Sequence, residues 1–206
     1  MNYLYPDVRL IIFSKPPLPG QCKSRLIPAL GEQGAAELQA ELIHRCLQEC
    51  CQAHLCPTEY WCASDKNHAF CQNLQENYPV TLRQQEGRDL GDRMFHALSS
   101  PSLQTYSIII GTDCPQMSRD YLCKAIEALK AGADIVIGPA EDGGYVLLGL
   151  READENLFKN IQWGGEDVFK MTCGHIQQLN LSSSVLETLW DVDRPEDYLR
   201  YKKIHA

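Results

Sequence analysis

The sequence has no long apolar run, and nothing approaches the roughly 20 consecutive apolar residues that a membrane-spanning helix needs. It has no G-x-x-x-x-G-K-[ST] loop and no G-x-G-x-x-G fingerprint, so two common glycine-rich phosphate cradles are excluded. No two cysteines form a C-x-x-C pair. Basic residues are in short supply, 19 Lys+Arg against 27 Asp+Glu for a net charge of -8. That excludes a broad nucleic-acid-binding face, but a small phosphorylated ligand needs only a few cations on one loop. Asp7 and Arg9 interrupt a stretch that would be uniformly apolar in a secretory signal, so a cytoplasmic protein is expected.

Cysteine itself is plentiful, at 10 residues. Without an export signal, disulfides are not expected. Cys46 and Cys50 share a helical face, with Cys51 and Cys56 close behind. A metal or iron–sulfur cluster is the sharper reading. Small buried hydrophobes are the plainer one, and the missing C-x-x-C pair favours it.

A chain of 206 residues that is 44% apolar suits one domain with a substantial core. Strand-like and helix-like patterns alternate along it. Val8–Phe13 reads as a strand, and Glu32–Cys51 as a helix with Leu38, Leu42 and Cys46 four apart. Strands are expected over Glu59–Ala63 and Val80–Leu82, and a helix over Leu90–Leu98. The next strand carries Ile108, Ile109 and Ile110, a run suited to burial on both faces. Ser118 caps a helix to Lys130. Strands over Ala133–Gly138 and Tyr145–Leu150, a helix over Glu166–Cys173, a strand over Gln177–Leu181 and a helix from Pro195 complete the pattern. The alternation predicts one α/β domain over residues 1–206, a doubly wound, mostly parallel sheet with helices on both faces.

Open α/β sheets bind ligands outside the carboxyl ends of their strands. Five stretches fall there. Lys15-Pro16-Pro17-Leu18-Pro19-Gly20-Gln21-Cys22-Lys23-Ser24-Arg25-Leu26 follows the first strand, stiffened by prolines and carrying three cations. Lys15, Lys23 and Arg25 are candidates for holding phosphates. Gly87-Arg88-Asp89 opens a helix, where exposed N–H groups attract anions; Arg88 could assist, or Asp89 and Asp92 could merely complement the helix dipole. Asp113, just past the Ile108–Ile110 run, can hold a divalent cation that bridges phosphates, or can satisfy backbone groups in its turn. Glu141-Asp142-Gly143-Gly144-Tyr145 reads first as a tight turn, and such a turn can present Asp142 to a substrate. Asp191 or Asp193 could complete a metal site with Asp113, although Asp193 and Glu196 also have the spacing of a helix cap.

Together these stretches resemble the nucleotide-diphospho-sugar transferase superfamily, with its Rossmann-like, GT-A-like fold. Within it the chain resembles the radical-SAM/selenodomain-associated transferase 1 family, a glycosyltransferase group formerly known as a domain of unknown function. The matching segments are Lys15–Leu26, Arg88–Met94, Gly111–Pro115, Asp142–Tyr145 and Asp191–Asp197, in family order and across nearly the whole chain. Arg88 stands where the family usually has Gly, and Trp163-Gly164-Gly165-Glu166-Asp167 where Trp-Ser-Thr is typical. The first loop also resembles that of the 2-phospho-L-lactate guanylyltransferases.

The resemblance implies a glycosyl- or nucleotidyltransferase that uses a nucleotide or nucleotide-sugar donor and a small-molecule acceptor. Mg²⁺ or Mn²⁺ would sit at Asp113 and Asp193. Lys15, Gly20, Lys23, Arg25 and Arg88 would bind the nucleotide, Lys23 and Asp142 would be catalytic, and Gly143, Gly144 and Tyr145 would meet the acceptor. Neither nucleic acid nor membrane is an expected partner, and a homodimer is left open. The contrasting readings are a guanylyltransferase of the phospholactate kind and a nucleotide-binding module that turns nothing over.

Overall fold

The computed structural model describes residues 2–51 and 54–204. One seven-stranded sheet forms the centre. Its strands in chain order are β1 (Val8–Ser14), β2 (Thr58–Cys62), β3 (Val80–Gln84), β4 (Tyr106–Ile110), β5 (Ile135–Pro139), β6 (Tyr145–Leu150) and β7 (Ser183–Val185). They lie side by side in the order β3-β2-β1-β4-β6-β5-β7. Only β6 runs antiparallel to its neighbours, inserted between β4 and β5. The cause is the Asp142-Gly143 turn, which returns the chain directly beside β5: Gly143 N–H donates to Ala140 O at 3.1 Å and Ala140 N–H to Gly144 O at 3.0 Å. The sheet is therefore mostly parallel, as the alternation predicts.

Among the described residues, six α-helices accompany it: α1 (Ile27–Cys51), α2 (Ala69–Asn77), α3 (Leu90–Ser99), α4 (Arg119–Lys130), α5 (Val168–Gln178) and α6 (Pro195–Ile204). Alternate residues of each strand point to opposite faces. Leu10, Ile12, Ile108 and Ile110 pack with residues of α1, α2 and α4, whereas Ile11, Phe13, Ile109 and Leu148 pack with α3 and α5. Both faces are thus covered, which is why β4 is buried at every position. α1 bends at Gly31 (φ 71°), so its long regular part starts at Glu32.

Two expectations need correction. Gln177–Leu181 is no strand: α5 runs on to Gln178, and the strand follows at Ser183–Val185. Its Ser-Ser-Val sequence is too polar to carry a strand pattern, while Ile176, Leu179 and Leu181 are apolar because they pack under the sheet. The helix expected at Glu166 begins two residues later.

All ten cysteines are free thiols, and eight are buried. Cys46, Cys50, Cys51 and Cys56 pack with Leu47, Leu55 and Tyr60 in the core. Burial pushes the Cys51 and Cys56 thiols up to about 12, as small hydrophobes rather than thiolate ligands. Arg9 is also buried, at 2% exposure within β1, and its guanidinium donates to the last carbonyls of α3 at Leu98 (2.7 Å) and Ala97 (3.2 Å). Among the described residues, no helix is long and apolar enough to cross a membrane.

Candidate active site

The carboxyl ends of β1 and β4, the first strand's long loop and the segment 190–193 meet at one rim of the sheet. The start of that loop is pinned by polar side chains. Ser14 and Thr112 share a hydroxyl contact of 3.1 Å, Gln39 donates to Ser14 Oγ at 3.2 Å, and Gln85 donates to Trp61 O at 2.8 Å. The loop then crosses the rim and reaches Lys23, whose backbone sits in the left-handed region at φ 48°. That conformation costs a residue with a side chain about 1 kcal/mol. What holds it is the side chain: Lys23 Nζ lies 2.7 Å from Asp113 Oδ1 and donates to Val192 O at 2.8 Å. The Lys23 side chain is 2% exposed, whereas Asp113 keeps 44% of its side chain open.

Val192 closes the knot from its other side, since its N–H donates to Asp113 O at 2.9 Å. The segment is extended, so its residues alternate. Trp190 and Val192 are buried against α1 and α6, which leaves Asp191 and Asp193 on the rim face. Asp193 pairs with Arg25. Asp191 is half-buried, and its carboxyl is pushed up to about 7. Burial is the main cause, followed by the negative charges of Asp113 and Asp142; Lys23 acts in the opposite sense.

Three adjoining hollows open on this rim. The first, about 350 Å³, is lined by Ser14, Lys15, Lys23, Arg93, Thr112 and Asp113 among others, and carries three cations. The second, about 680 Å³, lies between Arg25, Asp142, Asp191, Asp193 and Arg194. The third, about 230 Å³, is walled by Phe13, Leu90, Met94, Tyr145 and Trp163. Asp142 and Asp191 line both the second and the third.

Most of the residues singled out by sequence converge here. Lys15, Lys23, Asp113 and Asp193 line the first hollow, Arg25 and Gly143 the second, Gly144 and Tyr145 the third. Gly143 is fixed by close backbone approach. At φ 88°, a Cβ there would lie 2.0 Å from Glu166 O, and Phe169 N–H donates to Gly143 O at 2.8 Å. Asp142 Oδ1 accepts from Gly144 N–H at 2.9 Å, which holds the carboxylate at the turn.

Two candidates do not converge. Gly20 is an exposed turn residue (φ 75°) whose nearest neighbour is the Glu32 carboxylate, and it lines none of the three hollows. Arg88 is 93% exposed, pairs with Asp92 at 2.9 Å and also lines none of them. The cation that α3 contributes is Arg93. Its signal was in the sequence: Arg93 stands three residues after Leu90, on the same helical face, whereas Arg88 precedes the N-cap Asp89. Trp163 was noticed only as a departure from the family pattern. Its indole fills the space over Gly91, where a Cβ would lie 2.7 Å from the ring, and it meets Tyr145 edge-on at 6.5 Å and 84°.

Residues 46–165 match the family model described as "Uncharacterized protein conserved in bacteria (DUF2064)". The chain belongs to this family. Among solved structures, it is similar to a candidate nucleotide-diphospho-sugar transferase from Desulfovibrio desulfuricans G20, with 27% identity, a TM-score of 0.86 and coverage of 96% of this chain and 87% of that one. A 4-diphosphocytidyl-2C-methyl-D-erythritol synthase from Anaerococcus prevotii matches with 10% identity, a TM-score of 0.60 and coverage of 97% and 98%. The inositol-1-phosphate CTP transferase of T. maritima matches with 9% identity, a TM-score of 0.57 and coverage of 93% and 91%. At that identity the last two share the fold alone. No curated protein matches the chain. The fold is thus the one shared by these nucleotide-diphospho-sugar transferase and nucleotidyltransferase structures, as the five motifs imply.

Proposed function

We propose that the protein is a metal-dependent transferase that takes a nucleotide or nucleotide-sugar donor at the rim of β1 and β4 and passes a group to a small-molecule acceptor. The observation that carries this reading is the knot of Lys23, Asp113 and Val192. It fixes the Lys23 ammonium, held on Val192 O and paired with Asp113, in the wall of the first hollow, where a phosphate oxygen can meet its charge. Lys15 and Arg93 flank the same hollow, and Arg25 lies next door. A phosphate chain laid there meets preset positive charge, and the chemistry is mostly positioning and charge neutralisation.

The donor set also fits a divalent cation. Asp113 keeps open carboxylate surface, and Asp191 carries the repulsion of two neighbouring carboxylates that a cation would relieve. Among the described residues no group of three His, Cys, Asp or Glu side chains is poised to hold a metal, so phosphate oxygens and water would fill the remaining positions, as Mg²⁺ prefers. Asp113 and Asp191 would hold Mg²⁺ or Mn²⁺, with Asp193 behind them on Arg25. When bound, the ion would neutralise charge on the leaving phosphates. Asp142, at the junction of the second and third hollows, is placed to take a proton from the acceptor.

Thermal-shift measurements with each nucleoside triphosphate and with nucleotide-sugars, with and without Mn²⁺, test this. Metal-dependent stabilisation is expected, abolished by EDTA and by Asp113→Ala. Asp113→Ala should also lower turnover by about a thousandfold. Full metal-dependent nucleotide binding by that variant would overturn the assignment. Pyrophosphate release against nucleoside diphosphate release then separates nucleotidyl from glycosyl transfer.

A further inference from the structure

The third hollow has a chemistry that the first lacks. Its walls are apolar and aromatic, its charged groups are Asp142 and Asp191, and no Lys, Arg or His lines it. Two first-turn backbone donors beside it are engaged. Phe169 N–H, in the first turn of α5, donates to Gly143 O, and Asp92 N–H, in the first turn of α3, donates to Asp89 Oδ1. A phosphate monoester brings a charge of about -1.5 to -2. Here it would face Asp142 and Asp191 with no cationic side chain, and a cation held at Asp113 and Asp191 would already be engaged by the donor's phosphates, so the electrostatic cost away from bulk water is steep. A neutral polyhydroxylated ring has what the hollow asks for. Its C–H face can lie on the Trp163 indole, and its hydroxyls can donate to the carboxylates. The indole is held for this, seated over Gly91 and braced by Tyr145.

Building on the transferase reading above, we infer that this hollow is the acceptor subsite for an uncharged sugar or polyol, and that the group it receives is a glycosyl unit from a nucleotide-sugar. The step balances. The acceptor hydroxyl oxygen bonds to the anomeric carbon while the anomeric carbon–oxygen bond to the nucleoside diphosphate breaks. The diphosphate leaves with the electron pair, and the hydroxyl proton passes to the Asp142 carboxylate and then to water. A sugar phosphate, the acceptor from which nucleotidyl transfer makes a nucleotide-sugar, finds no cationic side chain in the hollow.

Saturation-transfer NMR on the whole protein with glucose, myo-inositol and glucose 1-phosphate tests the subsite directly. Signal is expected from the neutral compounds and not from the phosphate, and Trp163→Ala should reduce it about fivefold or more. Equal or stronger signal from glucose 1-phosphate, or indifference to Trp163→Ala, would overturn the inference. Leu90→Lys places a cation on the exposed wall and should bring glucose 1-phosphate into the hollow; continued exclusion would show that missing charge is not the cause. In turnover with a panel of nucleotide-sugars, the neutral acceptors should exceed glucose 1-phosphate in kcat/KM by at least about tenfold. Asp142→Asn should lower kcat about a hundredfold with little change in acceptor KM. If donors bind but only glucose 1-phosphate drives product release, the transferase reading stands and this inference fails. If no nucleotide or nucleotide-sugar binds at all, both fall.

Discussion

On the β1 side of the rim, the hollow wall carries Lys15, Lys23 and Arg93. On the β6 side, a few residues away, the wall is Met94, Tyr145 and Trp163, and the only charges are carboxylates. Lys23 and Asp113 stand at the border, paired with each other. Cations thus gather in the hollow after β1 and carboxylates in the aromatic hollow beside the hairpin, with the mixed hollow of Arg25, Arg194, Asp142 and Asp191 alongside. A polyanion and a neutral molecule would each have one favourable half, and their reacting ends would meet where the halves join. No second domain is needed for that separation.

The comparison breaks most severely at its border. Lys23→Met removes the donor to Val192 O and the partner of Asp113, a loss expected to cost about 1–3 kcal/mol in stability. On the transferase reading it should also cut kcat/KM for the donor by more than about a hundredfold, measurable by urea titration and steady-state kinetics. Next comes the hairpin side. Gly143→Ala forces a Cβ against Glu166 O at a positive φ, so a loss of about 3 kcal/mol and a melting temperature about 10 °C lower are expected by calorimetry. That effect should leave donor affinity of the remaining folded protein unchanged, because the cations stand on the other half. The smallest change should come from Arg88→Ala. Its exposed pair with Asp92 is worth about 0.5 kcal/mol or less, and kinetics should stay within about twofold. A large kinetic defect there would mean that α3 moves when a ligand binds.

Much of this rim could be read from the sequence because its residues are local punctuation. The isoleucine run at β4 stops at Gly111, the Asp-Gly turn makes the hairpin, and Lys23 and Arg25 follow a proline-stiffened loop. The rest depended on three-dimensional contacts. The residues left Asp191 and Asp193 open and the family resemblance implied Asp193, yet the two differ in surroundings: Arg25 neutralises one, while burial and the charges of Asp113 and Asp142 act on the other. Sequence pointed to Arg88 beside a helix start, whereas Arg93, on the face shared with Leu90, is the side chain that lines the hollow. β7 was misplaced because its polar residues lie at the sheet edge, where pairing with β5 rather than burial defines a strand.

The bond from Lys23 to the Val192 carbonyl joins positions 169 apart in the chain. During synthesis, all seven strands are made before residue 192 exists. A nascent chain can thus assemble most of its sheet while the clasp around Asp113 is still open, and Lys23 has no carbonyl to grip. Competence for anions would then arrive last, so a chain cut short before Trp190 should lack a working rim.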